Sequence, residues 1–270
     1  MAATVTVIAA TWAPPIHPAY ALAMLAAVAL GLLFPVSRGI DDRAERRAYW
    51  RMQVVTLLGG VVGAKLAVVF GETGWPFGPA PQWRALLWTG RSITGGLIGG
   101  FLAAEVAKQV TGYPRPPNDR FAALVPFSIA VGRVGCLVEG CCRGVPWDGW
   151  CSVRYDDGVP RHPTQLYEIA FNLVAGVAFI WMVRRGILFG RVFALYLVAY
   201  GAFRFATEYV RDTPKGTLAL AGPLLSGYQV LAALMAALGA AFLVKRTAWP
   251  PGNWGRYRPG PAGATAGGDA

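Results

Sequence analysis

The apolar positions of this chain fall in blocks about 20 residues long, the length a helix needs to cross a bilayer. Short runs of turn formers and charge separate the blocks, as at Pro35 to Arg38, Pro114 to Asn118 and Arg184 to Gly186. The pattern predicts seven spans, at 17–37, 50–71, 92–111, 119–138, 163–183, 187–208 and 225–245. In hydrocarbon each backbone polar group must be satisfied within its own segment, so the spans are helices. The fold class read from this pattern is an all-α polytopic membrane protein. A loop at 139–162, rich in Cys, Trp, Gly and Asp, predicts a small periplasmic cap. Residues 1–245, with that loop, form one transmembrane domain, and the Pro/Gly-rich stretch 246–270 reads as a disordered cytoplasmic tail.

Composition agrees with this pattern. Of the 270 residues, 55% are hydrophobic and only 14% charged, whereas soluble domains carry about 25% charged residues. Met1 to Thr11 hold no Lys or Arg, so the start lacks the positive region of a secretory signal, and the apolar run after Pro18 is expected to stay as the first span.

The formal net charge of +11 need not mean a nucleic-acid partner, and none is expected. Cytoplasmic loops of membrane proteins collect Lys and Arg. The loop after the first span carries Arg38, Arg43, Arg46, Arg47 and Arg51, whereas the loop after the second carries Arg84 and Arg91. The loops after spans three and five and the tail continue the basic side. This places the N-terminus outside and the C-terminus in the cytoplasm of a bacterial inner membrane.

Three basic residues fall inside spans: Lys65, Arg133 and Arg204. Each costs about 2.5–3.5 kcal/mol on insertion scales, which marks a buried polar site or a wet cavity. Tyr200, Arg204 and Glu208 recur every four residues and share one helix face. Arg133 lies between Gly132 and Val134-Gly135, and two arginines near the outer leaflet suit a phosphate group. Lys65 can snorkel to an interface. His17 opens the first span. His162 stands before Pro163 on the outer side, where it serves either as a general base or as an anchor for the helix entry. The glycines at 59–63 and 95–100 follow no strand and predict close helix packing.

Cys136, Cys141, Cys142 and Cys151 all lie near the outer end of span four. An oxidising compartment favours one or two disulfides stapling the cap, with Cys141 or Cys142 pairing to Cys136 or Cys151. A reactive thiol is the second reading. The spacing C-x4-C-C-x8-C lacks two C-x2-C knuckles, so no metal or cofactor is expected.

Several runs in order resemble the prolipoprotein diacylglyceryl transferase family. Arg161-His162-Pro163-Thr164-Gln165-Leu166-Tyr167-Glu168 is similar to the family's R-H-P-S-Q-L-Y-E. Tyr200-Gly201-Ala202-Phe203-Arg204 with Glu208 and Arg211 is similar to its Y-G-x-x-R-x-x-x-E-x-x-R. Gly95-Gly96-Leu97-Ile98-Gly99, Gly132 to Gly135 with Glu139-Gly140, and Gln229 also fit family positions. The resemblance implies a seven-helix enzyme at the outer face of the membrane. It would move a diacylglyceryl group from phosphatidylglycerol to the lipobox thiol of a preprolipoprotein signal peptide, releasing glycerol phosphate. It further implies that Arg133 and Arg204 hold the phosphate, that Tyr200 and Glu208 orient Arg204, and that Gly95, Gly96, Gln165 and Tyr167 contact substrate. Departures are clear: Thr94 stands where the family has His, Cys136 and Glu139 where it has Asn, and Cys141 where it has Glu. Glu139 or His162 is then the candidate proton acceptor. The alternatives are a related enzyme with another acceptor, or a non-catalytic lipid-binding or thiol-redox membrane protein.

Overall fold

The computed structural model describes residues 43–73, 90–111, 118–155, 157–188, 190–213 and 225–244, with single positions between 18 and 29. The predicted first span lies mostly outside the described residues, although those described between 18 and 29 are helical. The tail 246–270, and with it much of the loop charge, also lies outside them. Predicted spans two to seven each coincide with a helix: α1 (Arg43–Thr73), α2 (Ile93–Thr111), α3 (Asn118–Val138), α4 (Thr164–Arg185), α5 (Val192–Thr207) and α6 (Gly227–Val244). A 3-10 turn, Glu208–Val210, extends α5. By length and composition, four of the described helices can cross a membrane: α1, α3, α4 and α6. The protein is all-α and membrane-embedded.

The packing is arranged for lipid. Leu57, Leu58, Val61 and Val62 of α1, and Val174, Val177 and Trp181 of α4, are exposed. Such an apolar surface needs hydrocarbon around it. Polar residues line the inside instead. On α4, Gln165, Glu168 and Asn172 are buried at helical spacing, and on α5 so are Tyr196, Tyr200 and Arg204. The two stripes meet where Tyr196 Oη donates to Asn172 Oδ1 at 2.7 Å and Tyr200 Oη donates to Glu168 Oε1. Asp119 of α3 accepts from the backbone N–H of Val192 at 2.9 Å and from that of Gly190. It thereby caps the otherwise unsatisfied start of α5.

Small residues bring α1 against α2. A Cβ on Gly99 would lie 2.3 Å from the Gly59 carbonyl oxygen, and one on Gly63 would lie 2.3 Å from that of Gly95. No side chain fits between such backbones. Gly99→Leu is therefore expected to force the pair apart at a cost above the roughly 1–3 kcal/mol typical of overpacking. The check is the yield of monodisperse protein extracted in mild detergent, and an unchanged yield would contradict the packing. Lys65 does not simply snorkel: its Nζ donates to the Gly90 carbonyl at 3.0 Å, tying α1 to the entry of α2.

The predicted cap is a small antiparallel hairpin, Val153–Arg154 against Pro160–Arg161. Isolated bridges join Gly144 to Arg211 and Pro146 to Arg161. Arg161 holds the hairpin by ion pairs to Asp157 at 2.9 Å and Asp212 at 3.2 Å. The loop that carries the cap follows α3 and is tied to the start of α4 and the end of α5, which gives the bundle a capped end.

Candidate functional site

Five buried charged side chains converge at that capped end. Arg133 comes from the last turns of α3, Glu168 from the second turn of α4, Arg204 from the end of α5, and Glu208 and Arg211 from the turn beyond it. All are less than a tenth exposed. Glu168 is the hub. Its Oε2 lies 2.8 Å from Arg133 Nε and 4.0 Å from both Arg204 Nη1 and Arg211 Nη1. Glu208 Oε2 lies 3.1 Å from Arg204 Nη2 and 3.5 Å from Arg211 Nε. Thr213 Oγ1 donates to Glu208 Oε1 at 2.7 Å, and Ser226 Oγ stands 3.4 Å from the same atom.

Three guanidinium groups against two carboxylates leave one positive charge over. Several donors are also unused: Arg204 Nε and Arg211 Nη1 are buried with no hydrogen-bond acceptor. Arg133 Nε, though close to Glu168, is not aligned for a hydrogen bond either. Burying an unbalanced charge with orphaned donors is expensive. An anion would satisfy both.

The space for one is present. A cavity of about 680 Å³ is lined by Arg133, Arg204 and Arg211 at its polar end. Glu72 and Arg91, also on its wall, leave the charge balance unaltered. The rest of the wall is largely apolar, including Leu57, Ala64, Leu97 and Val125. Those same residues border a second, almost wholly apolar pocket of about 330 Å³ between α1, α2 and α3. A cationic end that opens into hydrocarbon-like walls matches an amphipathic phosphate ester.

The other sequence candidates divide. Gly96 lines both pockets. Gly95 packs against α1, where a Cβ would meet Ala67 Cβ at 2.1 Å. Gln165 is fully buried, donates to the Cys141 carbonyl at 2.6 Å and accepts from Tyr155 at 2.9 Å. It secures the cap. His162 stacks on Trp147 with centroids 4.3 Å apart, and its Nδ1 lies 3.1 Å from Tyr167 Oη. Neither His162 nor Tyr167 is among the residues that line the cavity, and the stack on Trp147 packs His162 into the cap. Glu139 is exposed just past the end of α3 and is not among the cavity-lining residues. Tyr200 grips Glu168 rather than Arg204. Thr94, at the position of the family His, is buried and is not among the cavity-lining residues.

Sequence reasoning missed Glu168 and Arg211 as site residues. Both stood in the quoted motifs, and Glu168 lies one helical turn before the buried Asn172, a polar periodicity that could have found it.

The four cysteines are free thiols, so the predicted disulfides are not formed in this structure. Cys136, Cys141 and Cys142 line the cavity beside Arg133, whose Nη1 is 3.8 Å from Cys136 Sγ. Cys151 is elsewhere, 3.5 Å from Tyr167 Oη. Hydrogen bonds from the Cys136 and Cys141 thiols, with the charges of Arg133 and Arg211, hold Cys142 well below the ordinary thiol range. Cys141, which shares its proton with these neighbours, is pushed up.

Comparison with known proteins agrees with this geometry. The family model for prolipoprotein diacylglyceryl transferase matches residues 8–245. A phosphatidylglycerol–prolipoprotein diacylglyceryl transferase of Clostridium tetani (strain Massachusetts / E88) is 28% identical, over 72% of this chain and 82% of the relative. The Vibrio atlanticus (strain LGP32) enzyme of that name is 34% identical, over 70% and 69%. That of Bordetella bronchiseptica (strain ATCC BAA-588 / NCTC 13252 / RB50) is 35% identical, over 73% and 76%. The chain belongs to the prolipoprotein diacylglyceryl transferase family.

Proposed function

We propose that this protein transfers the diacylglyceryl group of phosphatidylglycerol to the lipobox cysteine of a preprolipoprotein. The observation that carries the reading is the cluster of Arg133, Arg204 and Arg211, with buried guanidinium donors left without acceptors, at the polar end of a cavity with apolar walls. A lipid phosphodiester supplies the missing anion, and its acyl chains lie along the apolar wall and the adjoining pocket. Residues 1–245 act as one transmembrane unit with the site at the outer leaflet of the bacterial inner membrane, the N-terminus outside and the C-terminus in the cytoplasm.

The reaction is a displacement at carbon. The acceptor thiolate forms an S–C bond to the glyceryl carbon that bears the phosphate. The C–O bond breaks, and glycerol phosphate departs with the electron pair. Charge therefore grows on phosphate oxygens as the bond breaks, and guanidinium donors already in place stabilise that charge more than the ground state. Glu168 and Glu208 keep those guanidiniums at fixed positions, so no reorganisation is needed at the moment of reaction.

The test is complementation. Bacteria depleted of their own transferase, and supplied with this chain together with a lipoprotein precursor from its own source, are expected to accumulate mature lipoprotein, read as a gel shift. Persistence of the unmodified precursor, with the protein present in the membrane, would refute the reading.

A further inference from the structure

We infer that Cys136, Cys141 and Cys142 form a three-thiolate zinc site with an open fourth position facing the cavity, where the acceptor thiol binds and loses its proton. This rests on the transfer reading and adds to it the group that activates the nucleophile.

The three Sγ atoms all lie within 4.8 Å of one another. Tetrahedral zinc with Zn–S bonds near 2.3 Å needs sulfurs roughly 3.8 Å apart, a small rotamer adjustment from this arrangement. The sequence spacing hid the triad, because it counted Cys151, which stands apart against Tyr167. Cys136 lies in the last turn of α3, and the next two ligands are adjacent in sequence. Adjacent side chains ordinarily diverge. Here Gly140 has φ +67° and Cys142 has φ +59°, a left-handed conformation that non-glycine residues seldom adopt. The chain doubles back so that the Cys141 N–H reaches the Cys136 carbonyl at 3.1 Å, and both thiols turn towards Cys136. Such strain persists only where the surroundings enforce it. They do: α4 donates from Gln165 to the Cys141 carbonyl and from Thr164 to the Cys142 carbonyl, each at 2.6 Å. These bonds position the ligand-bearing loop as outer-shell groups do in metal sites.

Cys136, Cys141 and Cys142 all line the cavity, and catalytic zinc keeps one position open where structural zinc does not. A thiol that coordinates zinc is deprotonated outright, so its proton passes to water before the transfer step. The bound sulfur then forms the S–C bond as the C–O bond breaks, and the resulting thioether, a weaker ligand, leaves. No histidine base is needed, in keeping with Thr94 at the family's His position.

The full-length protein purified in mild detergent is expected to hold about one zinc ion per chain by elemental mass spectrometry. Cobalt exchanged into it is expected to give a thiolate-to-metal band and tetrahedral ligand-field absorption. A lipobox peptide should shift that spectrum, and its Cys→Ser form should not. Cys142→Ser should lose the metal and Cys151→Ser should keep it. Chelation and zinc re-addition on the unaltered chain serve as the control should Cys142→Ser fail to fold. A protein that takes up no zinc, or in which mass spectrometry finds Cys136 bonded to Cys141 or Cys142, overturns the inference. Transfer measured on the same preparation separates the two proposals. Transfer without zinc leaves the function standing and the site refuted. Zinc bound at the three thiols without transfer, or peptide response, overturns the role of the site together with the transfer reading.

Discussion

Arg204→Ala is expected to lower diacylglyceryl transfer about 100- to 1000-fold, the loss seen when one preorganised donor to developing charge is removed, while the protein still folds. The reasoning is electrostatic. The wild-type cluster sets Arg133, Arg204 and Arg211 against Glu168 and Glu208. Deleting Arg204 leaves two positive and two negative groups, with Glu168 still against Arg133 at 2.8 Å and Glu208 still against Arg211 at 3.5 Å. Neutrality is better tolerated in a buried site than surplus charge. What disappears is the reason for an anion to enter. Arg204→Lys keeps the charge but not the paired donors of the guanidinium, so it should recover only part of the rate. Labelled phosphatidylglycerol and a lipobox peptide give the assay, and thermal stability in detergent gives the control. Full activity in Arg204→Ala would refute the phosphate clamp. A variant that is inactive because it is unfolded would refute the charge argument.

Much of the architecture was legible because hydropathy and charge are local signals. Spans two to seven emerged close to their observed bounds, since a block of apolar residues in lipid has few alternatives to a helix. Arg133 and Arg204 stood out because a cation in hydrocarbon is costly. Pairing was not legible. Tyr200 and Arg204 share a face of α5, which suggested a contact between them, but Tyr200 reaches across to α4 and grips Glu168. Glu168 itself hid because its partners, Arg133, Arg204 and Arg211, come from other elements and no spacing along the chain joins them to it. His162 drew attention as a familiar proton acceptor, and only the tertiary stack on Trp147 shows that it is tied into the cap. The thiols misled for a related reason. Spacing along the chain treats four cysteines as one set, whereas the left-handed turn at Cys142 gathers three and leaves Cys151 out.

Glu168→Ala is expected to have the opposite signature to Arg204→Ala: loss of the fold before loss of chemistry. Removing this carboxylate leaves three buried guanidinium groups facing Glu208 alone, a surplus of two charges instead of one. Tyr200 Oη also loses its acceptor in a fully buried position. Breaking a buried ion pair by deleting one partner costs about 3–5 kcal/mol, and an orphaned buried hydroxyl adds about 1–3 kcal/mol. That is a large share of the roughly 5–15 kcal/mol by which folded proteins are stable. Glu168→Gln keeps an acceptor for Tyr200 but not the charge, so it should fall between wild type and Glu168→Ala. The double variant Glu168→Gln with Arg204→Ala restores the original surplus of one, and it should be more stable than Glu168→Gln alone. Unfolding temperatures in a single detergent check all three. Recovery in the double variant would show that charge balance holds this end of the bundle together. A double variant less stable than either single one would mean that particular contacts, rather than net charge, govern the cluster, and the case for an anion as its missing partner would fail with it.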